Sequence, residues 1–180
     1  MKPINIEIKA KCSNQKEIRE ILKSHSVEFK GVDNQIDTYF KTNFGRLKLR
    51  EGNIENNLIF YDREDNSGPK QSDIILFKFD PNSHLKELLT KTLGILVIVD
   101  KKREIYFINN VKFHLDFIEN LGTFVEIEAI DKDGTIEKEK LLEQCNFYLD
   151  LFKIPKENLL SNSYSDMLLE EISFSKDDCN

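Results

Sequence analysis

A period-two alternation of apolar and polar residues recurs in eight segments of this chain and constrains its fold more than any other feature. In the first segment, INIEIKAKC at 4–12, Ile4 and Ile6 fall on one side of an extended strand, whereas Glu7 and Lys9 fall on the other. The other predicted strands are 35–41, 46–51, 58–64, 72–79, 99–107, 111–117 and 122–130. Turn sequences such as NFG, EGN and NSGP separate several of them, and short connections indicate antiparallel neighbours.

Three further segments have helical character: one that begins at Ser13, one at 83–93 and one at 135–152. Eight antiparallel strands are enough to close a barrel whose interior is filled by side chains or holds one small ligand. We therefore expect an α+β fold that is mainly β: an eight-stranded antiparallel closed barrel with about three helices packed outside. The expected organisation is a single domain at 1–170 and a flexible tail at 171–180.

Composition and charge exclude several classes of protein. The 180 residues are 39% hydrophobic and 32% charged, which is typical of a globular domain. The net charge of −6 does not support non-specific binding to nucleic acid or anionic membranes, and the longest apolar run, 95–99, is too short to span a bilayer. Three cysteines without metal-ligand spacing predict buried thiols in a reducing compartment, and no signal peptide is recognisable. We expect a cytoplasmic protein that binds neither nucleic acid nor membrane.

The polar strand faces repeat charges of one sign. The same-face sets are Arg46, Lys48 and Arg50; Lys101 and Arg103; and Glu126 and Glu128. Like charges close together on a strand face repel one another, and a ligand of opposite sign between them relieves that repulsion. Cations suit a polyphosphate, and carboxylates suit a divalent metal ion that bridges to phosphate. The spacing alone leaves an ordinary solvated sheet face as the alternative.

Several segments, taken in order, resemble one known family. They are NIEIK at 5–9, DTYF at 37–40, GRLKLRE at 45–51, LIFYDRED at 58–65, KKREIYF at 101–107, HLDFIENLGTFVEIE at 114–128 and SYSDMLL at 163–169. Together they are similar to the CYTH family, the triphosphate tunnel metalloenzymes, which includes class IV adenylate cyclases, thiamine triphosphatases and inorganic triphosphatases. The segments LGTFVEIE and SYSDMLL look more like the cyclase branch.

The resemblance implies a barrel lumen that binds a triphosphate-containing small molecule together with Mg²⁺ or Mn²⁺. The implied metal ligands are Asn5, Glu7, Asp116, Glu126 and Glu128. The implied phosphate-binding residues are Lys9, Lys11, Lys48, Arg50, Arg63, Lys78, Lys101 and Arg103. Glu7, Lys9 and Arg50 are the implied catalytic residues. One position departs from the family pattern, because Asn5 stands where the ExExK motif has its first carboxylate.

The implied function is a metal-dependent enzyme that converts ATP to cyclic AMP and pyrophosphate. A triphosphatase acting on inorganic, thiamine or nucleoside triphosphate is the alternative. A non-catalytic polyphosphate- or nucleotide-binding module is the second alternative, motivated by Asn5. The resemblance also makes a homodimer plausible, and His114, on the charged face by parity, is interpreted as a hydrogen-bonded structural residue.

Overall fold

The computed structural model describes residues 4–62 and 73–177, and these ranges contain eight strands. The strands are β1 (Asn5–Lys11), β2 (Glu28–Phe40), β3 (Arg46–Glu51), β4 (Asn57–Asp62), β5 (Asp73–Lys78), β6 (Ile95–Ile108), β7 (Val111–Ile118) and β8 (Gly122–Ile130). The helices are α1 (Gln15–Ser24), α2 (Leu85–Leu93), α3 (Lys138–Leu151) and α4 (Tyr164–Asp177), with a short 3₁₀ turn at Lys156–Asn158. The predicted mainly β character is confirmed, and every predicted strand overlaps an observed one, although β2 and β6 begin earlier than predicted. Residues 63–64 and 72 of two predicted strands lie outside the described residues.

The eight strands form one antiparallel sheet in the order β1-β8-β7-β6-β2-β3-β4-β5. The expectation of a closed barrel is not met, because β1 and β5 are the two edges of this order and no strand ladder joins them among residues 4–62 and 73–177. The sheet is instead curled into a half-barrel. Its β5 side is built from strands of six residues, whereas β2 and β6 at its centre have 13 and 14.

A large hydrophobic core lies on the convex side of the half-barrel. There α1 and α3 cover the outward-facing side chains of β1, β8 and β7, as the alternating pattern predicts. The fully buried members of this core include Ile6, Phe113, Leu115, Ile127 and Leu141. Cys12 and Cys145 are free thiols buried in the same core, which confirms the prediction for two of the three cysteines; Cys179 lies outside the described residues.

The remaining part of the convex side has much less cover. Helix α2 contacts β2 but buries none of its side chains. Large apolar side chains on the outer surface of this half of the sheet are exposed: Ile36, Ile75, Phe77, Leu96 and Ile98. The two halves of the sheet therefore differ in how they are stabilised. One has an extensive core, and the other has its strand ladders and a smaller buried cluster on the concave side that includes Tyr39, Ile59 and Tyr61.

The prediction of about three helices is wrong, because the described residues contain a fourth helix, α4. It begins after Ser163, whose hydroxyl accepts a hydrogen bond from the backbone N–H of Asp166, while the Asp166 carboxylate accepts one from the backbone N–H of Ser163. Its first turns pack with Ile118, Phe124 and neighbouring apolar residues at one end of the concave side. The expected boundary at residue 170 between domain and tail stays a prediction, and α4 crosses it.

No helix within the described ranges is long and apolar enough to cross a membrane.

Candidate active site

The strand register places most of the predicted site residues together on the concave side, around a cavity of about 220 Å³. Those that line it are Asn5, Glu7, Lys9, Lys48, Arg50, Lys101, Arg103, Glu126 and Glu128. Asp116 is fully buried and contacts Arg103. Lys11 and Lys78 are exposed and are not among the lining residues. Arg63 lies outside the described residues.

Asp37 on β2 holds three cations of one wall of the cavity. Its carboxylate accepts hydrogen bonds from Lys48 Nζ at 3.0 Å, from Lys101 Nζ at 2.5 Å, and from Arg50 Nε and Nη2 at 2.9 and 3.0 Å. Burial by itself would raise the pKa of Asp37, but the charges of Arg50, Lys101 and Lys48 outweigh it and hold that pKa well below its usual value. The three cations are thereby fixed side by side, with one carboxylate beneath them.

Arg103, two residues from Lys101 on β6, organises an adjoining wall in the same manner. Its guanidinium donates to both carboxylate oxygens of Asp116, at 2.7 and 2.5 Å, and to Glu126 Oε2 at 2.7 Å. Lys9 Nζ lies 2.9 Å from Glu126 Oε1, as expected for residues directly opposite on β1 and β8. Burial alone would raise the pKa of Glu126, but Arg103 and Lys9 lower it well below its usual value.

Tyr164, the first residue of α4, joins this second wall. Its hydroxyl donates to Asp116 Oδ2 at 2.8 Å, and its ring lies 4.1 Å from Lys9 Nζ in a cation–π contact. Burial and the charge of Asp116 raise the pKa of the Tyr164 hydroxyl well above its usual value, so it stays protonated and remains a donor. The fourth helix thus helps to orient two of the predicted site residues.

Glu55, in the connection between β3 and β4, lies between two cations of the site. It accepts hydrogen bonds from Arg50 Nη1 at 2.9 Å and from Lys112 Nζ at 2.8 Å. The buried carboxylate of Asp33 positions this connection by accepting from the backbone N–H groups of Ile54 and Glu55. Its approach requires glycine at position 52, where a Cβ would lie 2.5 Å from Asp33 Oδ1.

The position of Glu55 predicts that it competes with an anionic ligand. We expect Glu55→Gln to bind inorganic tripolyphosphate about five- to tenfold more tightly, because Arg50 and Lys112 lose a charged internal partner worth about 1 kcal/mol or more. Isothermal titration calorimetry without divalent metal measures this affinity. Glu51→Gln is the control, since Glu51 pairs with Lys86 instead. Weaker binding by the Glu55 variant would show that Glu55 positions the cations rather than competing with the ligand.

The best fit for a divalent metal is the pair Glu7 and Glu128. They lie directly opposite each other on β1 and β8, and Asn5 Nδ2 donates to Glu128 Oε1 at 2.9 Å. Burial, followed by the charge of Glu7, raises the pKa of Glu128 to about 7, and a bound cation would relieve this repulsion. Glu126 is less suited, because Lys9, Arg103 and His114 all contact its oxygens.

No group of three or more His, Cys, Asp and Glu side chains is arranged as a metal centre in the described part of the chain. Two carboxylates still fit Mg²⁺, which binds proteins through one or two carboxylates and completes its shell with water and substrate phosphate. The Asn5 side chain presents its N–H group to Glu128, which leaves its amide oxygen as the group that could reach a metal ion. The structure therefore offers a sparse protein ligand set that substrate oxygens would complete.

The sequence reasoning missed several residues of the site. Asp37, Glu55 and Tyr164 contact predicted site residues, and Lys112 contacts Glu55, but the sequence assigns none of the four a role. Asp37 had a usable signal, because it shares strand parity with Gln35 and Tyr39 and so faces the charged side. Lys112 has the same signal on the strand of Asp116. Glu55 lies in a connection without periodicity, where no pattern marks its direction.

Comparison with known proteins identifies the family. The family model described as CYTH domain matches residues 3–164, which is most of the chain. This chain belongs to the CYTH family. The match spans β1 through the start of α4, and so contains both walls of the cavity.

Individual proteins are similar to this CYTH chain over most of its length. A protein of Methanocaldococcus jannaschii named "Putative adenylate cyclase" is 28% identical over 181 residues, which cover 91% of this chain and 98% of that protein. The solved structure of the PH1012 protein of Pyrococcus horikoshii OT3 has a TM-score of 0.77 at 22% identity, covering 90% and 98% of the two chains. A structure from Vibrio parahaemolyticus, also titled a putative adenylate cyclase, has a TM-score of 0.72 at 18% identity, covering 92% and 97%. The two structures establish a shared fold.

Proposed function

We propose that this CYTH protein is a metal-dependent enzyme that binds a triphosphate on the concave side of its sheet and acts as an adenylate cyclase. The observation that carries the proposal is the pair of cationic walls, which adjoin each other at Lys101 and Arg103 on β6. Lys48, Arg50 and Lys101 are fixed by Asp37 on one side, and Lys9 and Arg103 by Glu126 on the other. A chain of phosphates between them would meet charge-assisted donors on both sides.

In the proposed reaction, the ribose 3′-hydroxyl oxygen of ATP forms a bond to the α-phosphorus, and the bond from that phosphorus to the bridging oxygen breaks. Pyrophosphate leaves with the electron pair, and the hydroxyl proton passes to the Glu7 carboxylate. Lys9 and Arg50 stabilise the charge that develops on the phosphate oxygens. Mg²⁺ or Mn²⁺, held by Glu7 and Glu128 with the Asn5 oxygen, would neutralise phosphate charge when bound.

One observation supports a cyclase over the alternatives. The relative from Methanocaldococcus jannaschii, which matches nearly the whole chain, bears an adenylate cyclase name. A triphosphatase would use the same walls with water as the nucleophile. The cytoplasmic location, the homodimer and the absence of nucleic-acid and membrane partners stay predictions from the sequence.

The proposal is tested by separating the products. Purified protein with Mg²⁺ or Mn²⁺ is incubated with ATP, thiamine triphosphate or inorganic tripolyphosphate, and phosphorus NMR resolves the products. Cyclic AMP with pyrophosphate is the expected result. Orthophosphate release would replace the cyclase by a triphosphatase. Binding without turnover in either metal would leave a binding module.

Lys48→Ala provides the test of the walls. Lys48 is the most exposed of the three cations around Asp37, so its removal leaves Arg50 and Lys101 paired and the fold intact. We expect tripolyphosphate binding to weaken by roughly 10- to 100-fold, the range for a lost charge-assisted hydrogen bond of about 1.5–3 kcal/mol. Lys102→Ala is the matched control, because Lys102 is exposed and points away from the cavity on β6. Equal affinity in both variants would contradict the assignment of the walls.

A further inference from the structure

His114 is buried in the site with one ring nitrogen bonded and the other without a partner. Its side chain is 5% exposed and lines the cavity between Lys112 and Asp116 on β7. Nδ1 lies 2.9 Å from Glu126 Oε2, whereas Nε2 has no hydrogen-bond partner in the described structure. Buried polar atoms are rarely left unpaired, because leaving one so costs about 1–3 kcal/mol. The unpaired Nε2 therefore points to a partner that comes from outside the chain.

The contact with Glu126 fixes what that partner must be. Glu126 is held ionised by Lys9 and Arg103 and can only accept, so the hydrogen of a neutral His114 ring is on Nδ1 and donates to Glu126. Glu126 already balances the charges of Lys9 and Arg103, so it cannot also stabilise a second proton on a ring that is only 5% exposed. Nε2 is accordingly a hydrogen-bond acceptor, and its partner must be a donor.

The chain's own donors around the ring are already engaged. Arg103 donates to Asp116 and Glu126, and Lys112 donates to Glu55. Ionised phosphate oxygens are acceptors as well, so a bare polyphosphate chain cannot pair with Nε2. A hydroxyl group carried by the organic part of a triphosphate can.

We propose that His114 is a specificity-determining residue that accepts a hydrogen bond from a ribose hydroxyl and so selects a nucleoside triphosphate over inorganic tripolyphosphate. This rests on the proposed function, because it assumes that a triphosphate binds between the two walls. It adds a ligand-binding role to the interpretation of His114 as a hydrogen-bonded structural residue, which the Nδ1 contact supports. The hydrogen bond from Nδ1 to Glu126 fixes the orientation of the ring, and Nε2 accepts the hydrogen bond from the ligand hydroxyl.

The test compares ligands with and without the hydroxyl groups. Affinities for ATP, 2′,3′-dideoxyATP and tripolyphosphate are measured by calorimetry with Ca²⁺ in place of Mg²⁺, to suppress turnover. The wild type is expected to bind ATP about five- to tenfold more tightly than the dideoxy analogue, the worth of one hydrogen bond.

Two variants of His114 test the roles of its two ring nitrogens separately. In His114→Asn, the amide N–H can replace Nδ1 towards Glu126, but the acceptor at Nε2 is lost. In His114→Gln, a carbonyl oxygen can take the place of Nε2. We expect the Asn variant to bind ATP and dideoxyATP equally, the Gln variant to retain at least part of the preference, and tripolyphosphate affinity to stay within about twofold in both, because neither change removes a phosphate donor.

Several outcomes would overturn the proposal. One is a wild type that binds ATP and dideoxyATP equally, which would leave Nε2 to a water molecule. Another is an Asn variant that keeps the preference, or a Gln variant that discriminates no better than the Asn variant. A third is an equal loss of affinity for all three ligands, which would mean that His114 acts only by holding Glu126. If the wild type binds neither ATP nor tripolyphosphate, the proposed function fails as well, so the two failures are distinguishable.

Discussion

Replacing Asp37 by Asn is expected to lower the free energy of unfolding by about 3–5 kcal/mol, the usual cost of removing one partner from a buried ion pair. Asp37 is buried beneath Lys48, Arg50 and Lys101, and the amide would leave their charges without a counter-ion. Urea denaturation monitored by circular dichroism at pH 7 measures the change. Asp100→Asn is the control, because Asp100 is exposed on the neighbouring strand β6.

The stability difference between the wild type and Asp37→Asn is expected to depend on pH in one direction. The pKa of Asp37 is depressed in the folded protein, so its stabilising contribution is present above the unfolded value near 4 and is lost as the pH falls through the folded value. The difference in stability between the wild type and Asp37→Asn should therefore be constant from pH 7 to about pH 5 and shrink in stronger acid. A difference below about 1 kcal/mol at pH 7 would show that the cations do not depend on Asp37.

Glu128→Gln is expected to abolish metal-dependent turnover while leaving the protein folded. The loss should be at least about 100-fold in kcat, because a metal ligand contributes several kcal/mol of charge stabilisation to phosphoryl chemistry. Stability without metal should be unchanged or slightly higher, since the substitution removes the repulsion between Glu128 and Glu7. Product assays and the thermal shift produced by Mg²⁺ or Mn²⁺ measure the two effects.

The matched control for this prediction is Glu119→Gln, an exposed glutamate in the turn between β7 and β8. It loses the same charge without touching the site. Glu7→Gln should behave like Glu128→Gln, because the two carboxylates face each other across β1 and β8. Turnover and metal-induced thermal shifts that survive in both site variants would place the metal elsewhere, or show that the reaction does not need one.

Alternation in the sequence was sufficient to predict the strands and to sort their faces, because side-chain direction in a strand depends only on parity. Alternation could not predict which of the residues on one strand face line the cavity. Lys11 has the parity of Lys9 but lies at the end of β1, where it is exposed, and Lys78 is likewise exposed at the end of β5. Position along a strand relative to the curvature of the sheet decides this.

Tertiary contacts account for the other differences between the sequence-based prediction and the structure. Residues 164–177 have a weak sequence signal, since their apolar positions form no long regular stripe, and α4 gains its packing at the end of the concave side. Closure of a barrel depends on whether the two edge strands meet, and neither β1 nor β5 carries a sequence signal for that contact. The pairing of each cation with a particular carboxylate depends on distances across strands that are far apart in sequence, as for Arg50 and Asp37.

The uneven cover of the convex side has a consequence for local unfolding. Opening β1, β7 or β8 would expose the core beneath α1 and α3. Opening β5 would expose side chains that are already largely in water, and opening β4 with it would add the buried Ile59 and Tyr61 of a smaller cluster. The second half of the sheet is therefore the less protected cooperative unit of the protein. Lys48 and Arg50 belong to that unit, and Lys9 and Arg103 to the protected one. A phosphate chain held by both would tie the two units together, so ligand binding would suppress the local opening of β4 and β5 in particular.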